Sequence, residues 1–371
     1  MAAPPARGER GTVTSAGTPT PAGGAYGFSA PRAVALLGGF LALACVSFAL
    51  TARFGEQSIS LITALTEPTS SDALIFWELR LPRALLGAIV GAGLAASGTT
   101  LQGLLRNPLA EPFVLGVSGG AALGATLALA VGLATVGEVA PGLGGALSHL
   151  SAPVLFAFAG AGASILFVLS SSRGAAARAP YAALLTGVIF NAFASAAITL
   201  IKVMSTPDRI GGILRWLVGM LQFETVGTLA LSALLQAGAV GVMWALSGRL
   251  NLLSLGDDDA ASLGVPVAAT RRWLLLASSA SVAGAVSLTG LIGFVGLIVP
   301  HLLRLAFGPD QRLLVPLSAL GGASFLMLSD LLARLAFPLF NEDLPVGVVT
   351  ALLGGPLFLA LLRRRVRLGQ V

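Results

Sequence analysis

Charge is scarce in this sequence: only 10% of its 371 residues are Asp, Glu, Lys or Arg, where a soluble domain carries about a quarter. A chain that poor in charge cannot cover a globular surface in water, so soluble fold classes are excluded and lipid becomes the solvent. Lysine occurs once, as Lys202, outside any Gly-rich context, which excludes a conventional P-loop nucleotide site. Cys45 is the single cysteine, so neither an intrachain disulfide nor a cysteine-based metal site can form. Two histidines, His149 and His301, are present. An intramembrane hydrolase would need a Ser/His or paired-Asp site, and His301 beside Pro300 has no such companion, so no catalytic site and no resident cofactor or metal is expected. Acidic residues inside the apolar stretches are nearly absent too. Asp330 is the one placed well within a span, with Arg334 four positions on along the same helix face, which reads as a structural pair. An ion-driven secondary carrier, the rival class of transporter, would place more carboxylates inside the bilayer.

Apolar residues are plentiful. They make up 56% of the chain, and the mean hydropathy is +0.90. The apolar runs are about twice the ten-residue strands of a membrane β-barrel, so an all-α bundle is expected. The 47 glycines suit close helix packing in lipid. Stretches long enough to span lie at 33–52, 84–105, 113–136, 152–171, 181–203, 226–246, 273–291, 294–307, 313–338 and 346–362, about ten in all. The eighth is short, and Gly290, Gly293, Gly296 and Pro300 punctuate it and the turn before it, which predicts a broken or partly re-entrant segment.

Residues 1–31, rich in Ala, Gly, Pro, Ser and Thr, read as a disordered tail, and residues 32–368 as one membrane domain. Counting Arg and Lys by alternate connections puts fifteen on the tail's side and seven on the other, which predicts that both termini are cytoplasmic. Because these cations are scattered between spans, a nucleic-acid partner is not expected. Between spans, 211–221 suits a short interfacial helix with Trp216 at headgroup depth.

Two segments look made for protein partners. The loop Asn251-Leu-Leu-Ser-Leu-Gly-Asp-Asp-Asp-Ala-Ala-Ser-Leu-Gly-Val-Pro266 carries helix punctuation in order: Asp257, Asp258 and Asp259 for the first turn, Gly264 as the stop, Pro266 beyond. Leu79-Arg-Leu-Pro-Arg83 places two arginines at the external mouth of the second span, against the usual charge bias, with Arg334 toward the same end of the ninth. Guanidinium groups there suit paired recognition of carboxylates, and separate snorkelling to headgroups is the alternative. Pro108 in Asn107-Pro108-Leu109 fixes a turn at the inner mouth of the second helix.

At these residues the chain resembles the FecCD family of permeases. The blocks are Leu79-Arg-Leu-Pro-Arg83; Ser97-Gly98 with Gln102; Arg106-Asn-Pro-Leu-Ala-Glu-Pro112 followed by Leu115-Gly116 and Ser118-Gly-Gly-Ala121; Leu255-Gly256 with Ala261-Ser-Leu-Gly264; Thr289-Gly-Leu-Ile-Gly-Phe-Val-Gly-Leu-Ile-Val-Pro-His301; Asp330 with Ala333-Arg334; and Leu344-Pro-Val-Gly347. The resemblance implies the type II permease fold of an ATP-binding-cassette importer in the cytoplasmic membrane, carrying an iron–siderophore complex, haem or cobalamin. It also implies a second permease subunit, identical or related, two cytoplasmic ATPase subunits that bind the ATP, and an external solute-binding protein. By position it assigns docking of that protein to Arg80, Arg83 and Arg334. ATPase coupling falls to Leu255, Gly256, Asp257, Ala261, Leu263 and Gly264, within 252–265. Asn107, Pro108 and Leu109 form a cytoplasmic gate, and the loop 170–179 a second constriction. For the translocation path, polar Asn191 and Ser195 on the fifth span are the candidates.

Overall fold

A computed structural model of the protein describes residues 30–55, 57–139, 151–171, 182–222, 224–337, 342 and 344–367. The tail before residue 30 and residues 172–179 of the second-constriction loop 170–179 lie outside the described residues. Each of the ten apolar stretches contains a helix. They are α1 (Ala30–Arg53), α2 (Leu81–Leu104), α3 (Val117–Val131), α4 (Ala152–Ser171), α5 (Ala182–Met204), α7 (Val226–Ala245), α10 (Val267–Thr289), α11 (Val295–Phe307), α12 (Gln311–Leu335) and α13 (Val346–Arg367). Among the shorter helices between them are α6 (Pro207–Val218), α8 (Ser247–Leu253) and α9 (Asp257–Ser262). Six described helices are long and apolar enough to cross a bilayer, and α3, α11 and the first part of α13 are shorter apolar helices.

Burial sorts these helices into centre and rim. The helix that ends as α2 begins at Ser71, passes through a π-helical stretch at Ile75–Arg80 and has 78% of its most apolar window buried; for α1 the figure is 11%. The central α2 packs against α12, α10, α11 and α7. Small residues permit this: a methyl group added at Gly98 would overlap the backbone of Gly296, and one at Gly91 the backbone of Gly322. In lipid, where apolar surface gains little by leaving the solvent, such close approach is a main source of helix association. Hydroxyl and amide groups supply the rest. Gln236 of α7 donates to the Ser281 carbonyl at 2.8 Å and accepts from its hydroxyl at 2.5 Å. The Thr99 hydroxyl donates to Ser318 at 2.7 Å, joining α2 to α12.

The expected break is present. After α10 the chain leaves helical geometry at Gly290, and Phe294 adopts φ +69°, a left-handed conformation costly for a side chain of that size. The 13 residues of α11 extend about 20 Å, short of the roughly 30 Å hydrocarbon core.

Trp216 lies on the inward side of α6, 9% exposed, within the main apolar core. The sequence of α6 places Ile213 and Trp216 one turn apart, so the two form a single apolar stripe that turns inward.

Candidate docking and coupling sites

The two ends of α2 and α12 carry two separate polar clusters. At the Arg80 end, Arg83 and Arg334 converge on Asp330. Arg83 Nε lies 3.0 Å and Nη2 2.9 Å from Asp330 Oδ1, and Arg334 Nε lies 3.0 Å from Oδ2. Arg334 also donates to the carbonyls of Thr51 and Phe54, and Arg80 to those of Ala52, Arg53 and Gln57, so both close the C-terminal end of α1. Cations at a helix C-terminus satisfy its orphan carbonyls and favour its dipole. The three arginines and Gly55 line one cavity of about 150 Å³. The three arginines that the resemblance assigns to docking thus lie together, and all three side chains are buried and already engaged from within. The Asp330–Arg334 helix pair is present and is enlarged by Arg83.

At the Arg106 end, α2 finishes at Leu104, four residues before Pro108, to which the turn was assigned. Arg106 takes φ +50° and stops the helix. The Asn107 N–H bonds Gln102 O at 3.1 Å, Leu109 N–H bonds Asn107 Oδ1 at 2.9 Å, and Ala110 N–H bonds Asn107 O at 3.1 Å. This knot leaves Asn107 and Leu109 exposed, with Pro108 half-buried.

Helix α9 forms where the acidic run and Gly264 predict it. Gly264 has φ +82°, its N–H reaches Ala261 O and Val265 N–H reaches Ala260 O, both at 3.0 Å. That reciprocal pair is the Schellman stop, open to glycine without strain. Ala260 and Val265 turn into a small apolar cluster with Leu250, Leu253 and Leu274, while Leu255 and Leu263 stand 64% and 59% exposed. Exposed leucines beside a stiff, capped helix form a surface suited to a protein groove. Asp257 faces sideways. Its carboxylate takes Arg106 Nη2 at 2.9 Å and Arg271 Nη2 at 3.0 Å.

On α5, Asn191 has its amide taken up: Nδ2 donates to Phe113 O at 2.9 Å and Oδ1 accepts from Gly119 N–H at 3.2 Å. It ties α5 to α3, and Ser195, one turn on, is the exposed polar group of the pair.

Glu111 is a residue whose role the sequence left unread. Its carboxylate accepts the Phe294 N–H at 3.1 Å, closing the N-terminus of α11. In this segment between crossing helices, burial raises the carboxyl above the usual glutamate value and the Phe294 hydrogen bond opposes that rise. The break at Gly290 was the available signal, because a helix starting inside a bundle needs an acceptor for its first N–H groups.

Comparison with known proteins settles what this bundle is. A family model of the FecCD transport family matches residues 34–364. The chain belongs to the FecCD transport family. It is 42% identical over 340 residues to the haemin transport system permease of Yersinia pestis, covering 89% of this chain and 96% of that one. It is 40% identical over 294 residues to the cobalamin import system permease of Halobacterium salinarum, covering 79% and 74%. Among solved structures, a metal-chelate type ABC transporter in an inward-facing conformation superposes with a TM-score of 0.76 at 32% identity, over 89% of this chain and 99% of that one. As a FecCD member the protein is an ABC importer permease, and its helices have that permease fold.

Proposed function

We propose that this FecCD permease passes an iron–siderophore complex through the cytoplasmic membrane, with both termini on the cytoplasmic side. Two separate ATPase subunits bind the ATP and act on α9, a second permease copy or relative completes the path, and an external solute-binding protein docks at the arginine cluster. The observation that carries the coupling role is α9 itself: a short helix, stopped at its C-terminus by the Gly264 turn, with Leu255 and Leu263 exposed on either side of it. Support for an iron chelate comes from a relative named for haemin and a structural neighbour named for metal chelates. Both names describe a metal enclosed in a large organic shell.

Docking at Arg80, Arg83 and Arg334 rests on their convergence around one cavity at a single end of the bundle. Because internal partners already hold them, an incoming carboxylate acts by competing for their remaining donors; each guanidinium offers five N–H groups.

Haem is the second reading, favoured by 42% identity across nearly the whole haemin permease. Uptake decides. Cells lacking this chain are to be given radioiron as a ferric siderophore, as haemin, or radiolabelled cobalamin, with and without the restored gene. The proposal expects restored accumulation in the siderophore arm; restoration confined to haemin or cobalamin would overturn the substrate assignment and leave the permease in place.

A further inference from the structure

The turn between α2 and α3 is anchored at both ends, to two different elements. At its start the Arg106 guanidinium reaches Leu253 O from Nε at 3.1 Å and from Nη2 at 2.7 Å, and Asp257 at 2.9 Å. At its end Glu111 holds the Phe294 N–H. Between them the chain is stiffened by Pro108 and by the Asn107 knot described above. The far anchor is reinforced from α2, whose Gln102 amide donates to Gly296 O at 3.3 Å and Leu297 O at 3.2 Å. The N-terminus of α11 is thus gripped through its first N–H by Glu111 and through its first carbonyls by Gln102.

We propose that residues 106–111 are a tie rod: Asp257 of α9 pulls on Arg106, and Glu111 delivers that displacement to Phe294 and the broken helix α11. Arg271, which fills the other side of the Asp257 carboxylate, keeps that carboxylate aimed and ties α9 to the start of α10. The proposal rests on the reading that α9 receives an ATPase, and adds the route by which force leaves it. Asp257, Arg106 and Glu111 are positioning residues here. Two facts make the route physical rather than a matter of proximity. Both anchors are direct polar contacts, and Arg106 at the near end and Phe294, the residue that Glu111 grips, take left-handed backbone at φ +50° and φ +69°, conformations held only where the surroundings enforce them.

The test has two stages. In the first, the permease alone in nanodiscs, with Cys45→Ser, carries spin labels at Leu109→Cys and Leu263→Cys, or at Leu109→Cys and Leu305→Cys, all exposed positions. Asp257→Ala is expected to broaden the 109–263 distance and leave 109–305 narrow; Glu111→Ala is expected to do the reverse. Glu111→Gln keeps an acceptor for Phe294 and Asp257→Glu keeps the charge, so both should restore the wild-type distributions. Unchanged distributions in both alanine variants would overturn the tie rod whatever the partner is. In the second stage the assembled complex with its ATPase receives a non-hydrolysable ATP analogue. The analogue should shift 109–305 in the wild type and not in Asp257→Ala, and with ATP itself uptake per ATP hydrolysed should fall at least about fivefold in that variant. An equal shift in Asp257→Ala would sink the proposal. Absence of any ATPase association, with the first-stage result intact, would instead count against the importer reading of α9.

Discussion

Asp330 is the most informative residue to perturb, because its carboxylate serves two guanidinium groups inside the bundle. Arg83, Asp330 and Arg334 have side-chain exposures of 9%, 1% and 6%, and the three ion-pair distances fall between 2.9 and 3.0 Å. Replacing Asp330 with Asn preserves shape and removes the charge, which leaves two buried cations around a neutral amide. Breaking a buried pair by deleting one partner costs about 3–5 kcal/mol. Asn retains one acceptor, which places the expected loss near the lower bound, about 3 kcal/mol. The assay is equilibrium unfolding in mixed micelles for the wild type, Asp330→Asn, Arg83→Met and the double variant. Because Arg83 and Asp330 touch directly, the two single losses must not add; a coupling of about 1–3 kcal/mol is expected. Salt should change these values little, since a pair this buried is poorly screened. The reasoning is refuted if Asp330→Asn unfolds within about 0.5 kcal/mol of the wild type, or if the single losses add within that margin.

Three further outcomes follow from the same structure. Gly98→Ala should destabilise the bundle by about 1–3 kcal/mol in that assay, since its methyl meets the Gly296 backbone, while Gly162→Ala, with open space at its Cβ, should be neutral or gain up to about 1 kcal/mol. Ala261→Pro, at the exposed next-to-last residue of α9, should lower uptake per ATP hydrolysed in reconstituted complexes; a wild-type ratio would remove α9 from the coupling role. Arg80→Glu should weaken binding of the solute-binding protein in surface plasmon resonance, with the difference shrinking as the Debye length falls from about 30 Å at 0.01 M salt to about 8 Å at 0.15 M. Equal affinities of variant and wild type at low salt would dismiss Arg80 from docking.

Much of the architecture was legible because lipid imposes it: a span must be a long apolar run, and each such run does contain a helix. The end of α9 was readable from Asp257 and Gly264, since caps act within a few residues. What stayed hidden depends on partners far away in the chain. Arg80 and Arg83 looked like mouth residues and so suggested that the second helix starts after them, at residue 84. The helix in fact runs from Ser71 through them, because Asp330, 247 positions away, supplies the charge that lets Arg83 be buried. Glu111 was visible as a letter of a motif but not as a cap, since its partner is a backbone N–H that no side-chain pattern displays. The burial of Trp216 follows from the stripe it shares with Ile213, a pattern of the helix and not of the lone residue. The ties of Asn191 to Phe113 O and Gly119 N–H were hidden for the same reason as that of Glu111.

Central to all of this is that the chain is a gate moved by other subunits, with no energy source of its own. The direct measurement is flux of a radiolabelled ferric siderophore into liposomes holding the purified permease alone, across an imposed proton or sodium gradient, and into liposomes holding the full complex with ATP inside or outside. Accumulation only in the full complex, and only with ATP on the side of α9, is the predicted result. Accumulation by the permease alone, driven by the ion gradient, would contradict it.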